Sequence, residues 1–248
     1  MALTLKNPHS ILAALQQRPR DVVEVRLPPK GASPAWETVR QLAGKHGVKL
    51  TQAQRKAPKP QRQGGGPAGK TGREGGGEAV VREAAGLTLA ELFADVPQRA
   101  DGRGLWLALD CLQDPHNLGA IFRSAAFFGV QGVLMTVDRA APMSAVVYDT
   151  AAGGVEHVPF CVQTNLSESL KAAKDLGLWV LGTSERAELD ASEVTRDRPW
   201  LLVIGNESKG LRRLTRDRCD LICRITPRGA IGSLNASVAA GILMANLS

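Results

Sequence analysis

The chain has 248 residues and a formal charge of +7, with an isoelectric point near 9.5. That length admits one large domain or two ordinary ones at roughly 100–200 residues each, and the positive balance points to an acidic partner, most simply nucleic acid. The beginning lacks the apolar core of a signal peptide, and no apolar run approaches the ~20 residues of a membrane span. A cytoplasmic protein without a membrane partner is expected. Cys111, Cys161, Cys219 and Cys223 form no CxxC pair and have no histidine cluster beside them, which predicts reduced thiols and no metal site.

Residues 1–54 read as a small α/β domain. A helix is predicted over 8–18, an alternating strand over 22–27, a second helix over 35–45 and a strand over 48–51. Composition then changes to Lys, Arg, Gln, Pro and Gly, too apolar-poor to offset the entropy of ordering. Residues 55–86 are therefore expected to form a flexible basic linker. Between Val39 and Arg73 there are nine Lys or Arg residues and no acid. The tract is either a solvated tether or an arm that contacts RNA phosphates, with Arg55, Lys56, Lys59 and Arg62 as candidates. Residues 64–71 match the phosphate-loop pattern GxxxxGK followed by Thr. A working loop of that kind needs a buried strand before it and a helix after it. Neither flank fits, so nucleotide hydrolysis is not expected.

Order resumes with a capping box between Thr88 and Glu91. Strands are then predicted over 105–109, 132–137, 158–162, 178–181, 201–204 and 221–225. Helices are predicted over 118–128, 144–151, 166–175 and 236–247. Short apolar strands alternating with helices imply an α/β domain over 87–248, with a mainly parallel sheet covered by helices on both faces.

Three blocks put glycine and polar side chains where apolar runs end: DPHNLGAIFRS at 114–124, LLVIGNESKGL at 201–211 and ITPRGAIGSLNASV at 225–238. In open α/β sheets such loops meet in the crevice that binds ligands. Asn117 is either a helix N-cap or a site residue. Gly119 permits close approach of another backbone. Arg123, roughly 9 Å further along the helix, can swing its guanidinium back to the helix mouth; among Ile121, Phe122, Ala125 and Ala126 it needs an acceptor. Glu207 can pair with Arg123 or favour the start of the next helix. Ser233 and Asn235 precede the last helix and are candidates for its N-cap or for the site.

Taken together the blocks resemble the three signature motifs of the SpoU/TrmH family of RNA ribose 2′-O-methyltransferases. The first is Asn117, Gly119, Arg123 and Ser124. The second is Gly205, Asn206, Glu207, Gly210 and Leu211. The third runs through Ile225, Pro227, Gly229, Ser233, Leu234, Asn235 and Ser237. The resemblance covers about residues 104–248. The first 54 residues are more loosely similar to the substrate-binding domain of ribosomal-RNA members, without its usual His-Gln-Gly element.

The resemblance implies a SPOUT-type fold with a C-terminal trefoil knot, S-adenosylmethionine as cofactor, and a homodimer acting on RNA; the domain before it favours ribosomal RNA, with transfer RNA as the alternative. Carried onto matching positions, Gly182, Thr183, Gly205, Ile225 and Leu234 are expected around the cofactor. Asn117, Arg123, Glu207, Ser233 and Asn235 are expected at the reacting centre. A non-catalytic RNA-binding protein on the same frame is the rival reading; the presence of Asn117, Arg123 and Glu207 argues against it.

Overall fold

The computed structural model describes residues 1–29, 33–53, 76–94, 96, 103–206 and 209–248. Contacts divide the chain into two units, Met1–Glu83 and Ala84–Ser248.

In the first unit, β1 (Ala2–Leu5), β2 (Val22–Leu27), β3 (Lys49–Gln52) and β4 (Glu78–Arg82) form a sheet in the order β1-β4-β2-β3. Helices α1 (Pro8–Gln17) and α2 (Pro34–Lys45) pack on each other. Asn7 caps α1 by accepting from His9 N at 3.0 Å, and a proline opens each helix, where its missing N–H has no partner to lose. Strands β1 and β4 were not expected from the sequence. Strand β4 pairs antiparallel with both β1 and β2, and Ala79 and Val81 are fully buried. Residues 78–83 therefore belong to the first unit and not to the linker expected over 55–86. The three-residue apolar run 79–81, set behind a glycine tract, is too short to show a period. Residues 54–75 lie outside the described residues; they include Arg55, Lys56, Lys59 and Arg62 and the tract 64–71.

The second unit is built on β5 (Gly104–Leu109), β6 (Gly132–Thr136), β7 (Phe160–Gln163), β8 (Trp179–Thr183), β9 (Leu189–Asp190), β10 (Pro199–Ile204) and β11 (Leu221–Arg224). Their order is β7-β6-β5-β10-β8-β11-β9, and every pairing among them is parallel. The α/β class and the parallel sheet thus stand as expected. Strands β5 and β10 at its centre are almost wholly apolar, and Trp106, Leu107, Ala108, Leu201, Leu202 and Val203 are fully buried. Such continuous apolar runs mark strands covered on both faces.

The helices are α3 (Leu89–Leu92), α4 (Pro115–Phe127), α5 (Ala145–Ala151), α6 (Gly154–His157), α7 (Leu166–Asp175), α8 (Arg213–Arg216) and α9 (Ala236–Leu247). Thr88 and Glu91 make the expected capping box, and Asn165 caps α7 through Glu168 N. The short α6 was not foreseen. Gly154 brings it against α4, where a Cβ would stand 2.6 Å from the carbonyl oxygen of Phe122. The motif glycine Gly119 acts in the same way. A Cβ there would lie 2.6 Å from Thr150 Cβ and 2.7 Å from the Val147 carbonyl oxygen, so α4 and α5 pack closely because the position is bare.

Candidate functional site

All three sequence blocks begin at the carboxyl ends of strands that lie side by side. The first follows β5, the second follows β10, and the third follows β11, with β8 between β10 and β11.

In the first block, Asp114 caps α4 by accepting from His116 N at 2.9 Å. Asn117 is therefore not the N-cap; it sits inside the first turn, buried to 6% exposure. Its Oδ1 accepts a 2.9 Å hydrogen bond from Asn235 Nδ2. A buried amide needs such a partner. Asn235 has a second task as the N-cap of α9. Its Oδ1 accepts from Ser237 N at 2.9 Å, from Ser237 Oγ at 2.6 Å and from Val238 N at 3.4 Å. One amide therefore fixes the start of the last helix and ties it to the first block, and α4 and α9 pack on each other.

Arg123 lies in the exposed stripe of α4, whereas Ile121, Phe122 and Ala125 face the core. The apolar surroundings suggested by its sequence neighbours are thus corrected: at 3.6 residues per turn those neighbours point elsewhere. Phe127, one turn further along the helix, is 82% exposed.

The second block makes a tight hairpin. Asn206 N donates to the Gly210 carbonyl at 3.1 Å and Gly210 N to the Asn206 carbonyl at 2.9 Å. Gly210 has φ +64°, and a Cβ on Gly205 would stand 2.5 Å from the Gly210 carbonyl carbon. Glycine is required at both places, at one for the left-handed backbone and at the other for space. Asn206 Nδ2 donates to the Cys111 carbonyl at 2.9 Å, which fastens this loop to the one after β5. A stronger fastening comes from Asp110, which is fully buried. Its carboxylate accepts from Arg212 Nε at 2.6 Å and from Arg212 N at 3.1 Å. Glu207, and with it the expected pairing to Arg123, lies outside the described residues.

Around β8 and β11 the expected cofactor residues are distributed as follows. Gly182 is buried, and a Cβ on it would meet Cys219 Sγ at 2.7 Å and Leu211 Cδ1 at 2.9 Å. Thr183 donates through Oγ1 to the Val203 carbonyl at 3.0 Å, so its side chain is committed to β10. Ile225 is half-buried directly after β11, Ser233 is exposed, and Leu234 is 50% exposed. Thr226 is held by Asp190, which accepts from its backbone N at 3.2 Å and from its hydroxyl. Hydrogen bonds from Ser192 and Thr226 hold the Asp190 carboxyl well below the usual carboxylate range. Burial pushes the Cys219 thiol up to about 12 and the Cys223 thiol up to about 11, each helped by a neighbouring carboxylate, Asp220 and Asp190 respectively.

Sequence reasoning missed Asp110, Arg212, Asn206 as a tether, and Arg224. The Nε of Arg224 is buried without a hydrogen-bond partner among the described residues. An aspartate ending an otherwise apolar strand was the one available signal for Asp110.

A parallel sheet with three glycine-bearing polar loops gathered at its carboxyl edge defines an α/β protein of the class whose open sheets bind ligands at that edge. Residues 104–245 match the model of the SpoU rRNA Methylase family, and the chain belongs to that family. It is 43% identical over 176 residues to the 23S rRNA (guanosine-2′-O-)-methyltransferase RlmB of Nitrosomonas europaea, covering 71% of this chain and 66% of that one. It is 33% identical over 238 residues to the enzyme of the same name from Pseudomonas aeruginosa, covering 95% and 92%. Its fold matches the crystal structure of the SpoU methyltransferase AviRb from Streptomyces viridochromogenes in complex with the cofactor AdoMet. The TM-score there is 0.74 at 24% identity, with 99% of this chain and 89% of that one covered.

Proposed function

We propose that this chain transfers a methyl group from S-adenosylmethionine to a ribose 2′-hydroxyl of ribosomal RNA. The observation that carries the reading is the hydrogen bond from Asn235 to Asn117, which joins the third block to the first at the edge of the sheet. The names of the relatives favour 23S ribosomal RNA, and a guanosine within it, as the substrate. The AdoMet-bound fold neighbour favours the cofactor.

The residues at the edge suit such a cofactor. The chain ends of β8, β10 and β11 offer backbone amides and carbonyls near Thr183, Gly205 and Ile225. Leu234 offers half-exposed apolar surface, and Arg224 a buried donor without an acceptor. These fit a ligand that combines an apolar ring with polar ends. When bound, S-adenosylmethionine supplies an electrophilic sulfonium methyl.

The chain must hold the hydroxyl in line with that methyl and help it lose its proton. A guanidinium is a poor base. Arg123 is assigned instead to grip the ribose and its flanking phosphate and to stabilise developing alkoxide. Asn117, fixed by Asn235, orients the site beside it, and Glu207 is the counter-charge for Arg123. Ser233 and Asn235 line the same edge. The basic tract with Arg55, Lys56, Lys59 and Arg62, and the first unit, are assigned to RNA binding.

The protein is further assigned as a cytoplasmic homodimer whose last segment closes the family's trefoil knot. In support of a dimer, α4 and α9 pack together yet leave Phe127, Val238 and Ile242 exposed; such apolar surface marks an interaction face.

The test is transfer of labelled methyl from S-adenosylmethionine to purified ribosomal and transfer RNA. Label in 2′-O-methylated nucleosides of ribosomal RNA supports the reading. Label confined to transfer RNA overturns the substrate, and none in either overturns the activity.

A further inference from the structure

A cleft of about 410 Å³ is lined by Asp138, Arg139 and Arg212. None of these belongs to the three sequence blocks. Arg139 lies in the loop after β6, and Arg212 follows the hairpin after β10. Strands β6, β5 and β10 are neighbours in the sheet. The cleft therefore opens over those three strands, while the residues assigned to the cofactor lie over β10, β8 and β11. The first block, with Asn117 and Arg123, follows β5, the middle one of β6, β5 and β10.

Arg212 is built to present a fixed fork. Asp110, fully buried, holds its Nε at 2.6 Å and its backbone N at 3.1 Å, and the Asp110 backbone N is itself bonded to the Ile204 carbonyl at 2.9 Å. The Arg212 side chain remains 44% exposed, and its two terminal nitrogens have no acceptor among the described residues. Arginine held in this way loses little further freedom when it binds an oxyanion through those nitrogens.

Arg139 is exposed, has no partner among the described residues, and adopts φ +55°. For a residue with a side chain that conformation is strained, and such strain concentrates at functional sites. Lys209, Arg213 and Arg216, all exposed, add to the positive field. Asp138 offsets part of it. With Asp110 paired to Arg212 and Asp138 in the lining, two carboxylates offset the two arginines, and the modest surplus from Lys209, Arg213 and Arg216 suits a singly charged phosphodiester better than a doubly charged terminal phosphate.

We propose that Arg139 and Arg212 form a phosphodiester-binding subsite that seats the RNA backbone beside the ribose to be methylated. This rests on the RNA methyltransferase reading above and deepens it by placing one contact of the substrate strand.

The experiment measures methylation kinetics and RNA binding between 50 and 200 mM salt with a ribosomal RNA transcript, each concentration being about the range over which phosphate contacts are resolved. It compares the wild type with Arg139→Ala and Arg212→Lys, and with Lys171→Ala as a charge control on α7. Arg212→Ala is avoided because it strands a buried carboxylate. Arg139→Ala should raise the KM for RNA about tenfold and flatten the slope of log K against log salt by about one contact. The KM for S-adenosylmethionine should stay put. Arg212→Lys should also raise the RNA KM, because lysine lacks the fork, and Lys171→Ala should change neither. If the wild type methylates the transcript while Arg139→Ala keeps its RNA KM and salt slope, the subsite is overturned and the methyltransferase reading stands. If the wild type neither binds nor methylates ribosomal RNA, both are overturned.

Discussion

Asn235 Nδ2 donates a 2.9 Å hydrogen bond to Asn117 Oδ1 across 118 residues of sequence, while its own Oδ1 caps α9. Cap and bridge are separable by one atom. Asn235→Asp keeps an acceptor for the cap, and its charge suits a helix N-terminus, but it replaces the donor facing Asn117. Asn235→Ala loses both. Asn235→Asp keeps the cap but sets a carboxylate oxygen against the buried Asn117 Oδ1, so it is expected to cost about 1–3 kcal/mol of stability and to lose at least about tenfold in kcat. Asn235→Ala should lose activity and about 1 kcal/mol or more of stability as well. Denaturant melts beside methyl-transfer rates check this; an active Asn235→Asp would show that the bridge has no part in the site.

Arg123 is exposed on α4, so its removal leaves no buried charge or cavity. Arg123→Ala should change stability by no more than about 0.5 kcal/mol yet reduce methyl transfer by about 100-fold or more. Arg123→Lys should also be impaired, since a point charge does not reproduce a planar fork. Near-wild-type turnover by folded Arg123→Ala would remove it from the reacting centre.

Gly119 carries a motif position for a reason of packing. An alanine methyl there meets Thr150 Cβ at 2.6 Å and the Val147 carbonyl oxygen at 2.7 Å, so α4 or α5 must move. Overpacking of this kind costs about 1–3 kcal/mol. A thermal melt of Gly119→Ala should show that loss, and the displaced α4 should lower activity too.

The thiols give a pH dependence. With Cys219 pushed up to about 12 and Cys223 up to about 11, both stay protonated in the folded chain at pH values where unfolded thiols, with pKa ~8.5, ionise. Their contribution to stability is complete below about pH 8.5 and declines as pH rises toward the folded values. Denaturation midpoints should therefore fall between about pH 8 and pH 10, and less steeply in a double Cys219→Ala, Cys223→Ala variant. Alkylation at pH 8 should be slow at both in the folded chain, because the thiolate is the nucleophile. Fast labelling would contradict the burial described.

Much of the second unit was legible because its signals are local. The helix over Ala236–Leu247, the capping box at Thr88 and the Asn165 cap each follow from neighbouring residues. Strands β1 and β4 were not, because pairing in the first sheet depends on residues about 80 positions apart, as in Ala2 with Arg82, and no local period encodes it. The place of Asn117 in a motif marks it as a site residue. That Asn235 is its partner depends on the packing of α4 against α9, and Asp110 with Arg212 depends on the meeting of two loops 102 residues apart. Arg123 was misplaced in environment because residues adjacent in a helix point in different directions.

The most direct measurement of the central claim is a map of 2′-O-methyl groups in total RNA from a strain lacking this protein, set against its parent. The account predicts the loss of ribose methylation at one guanosine of 23S ribosomal RNA, restored by the wild-type chain and not by Arg123→Ala. An unchanged map, with every ribosomal 2′-O-methyl group still in place, would contradict it.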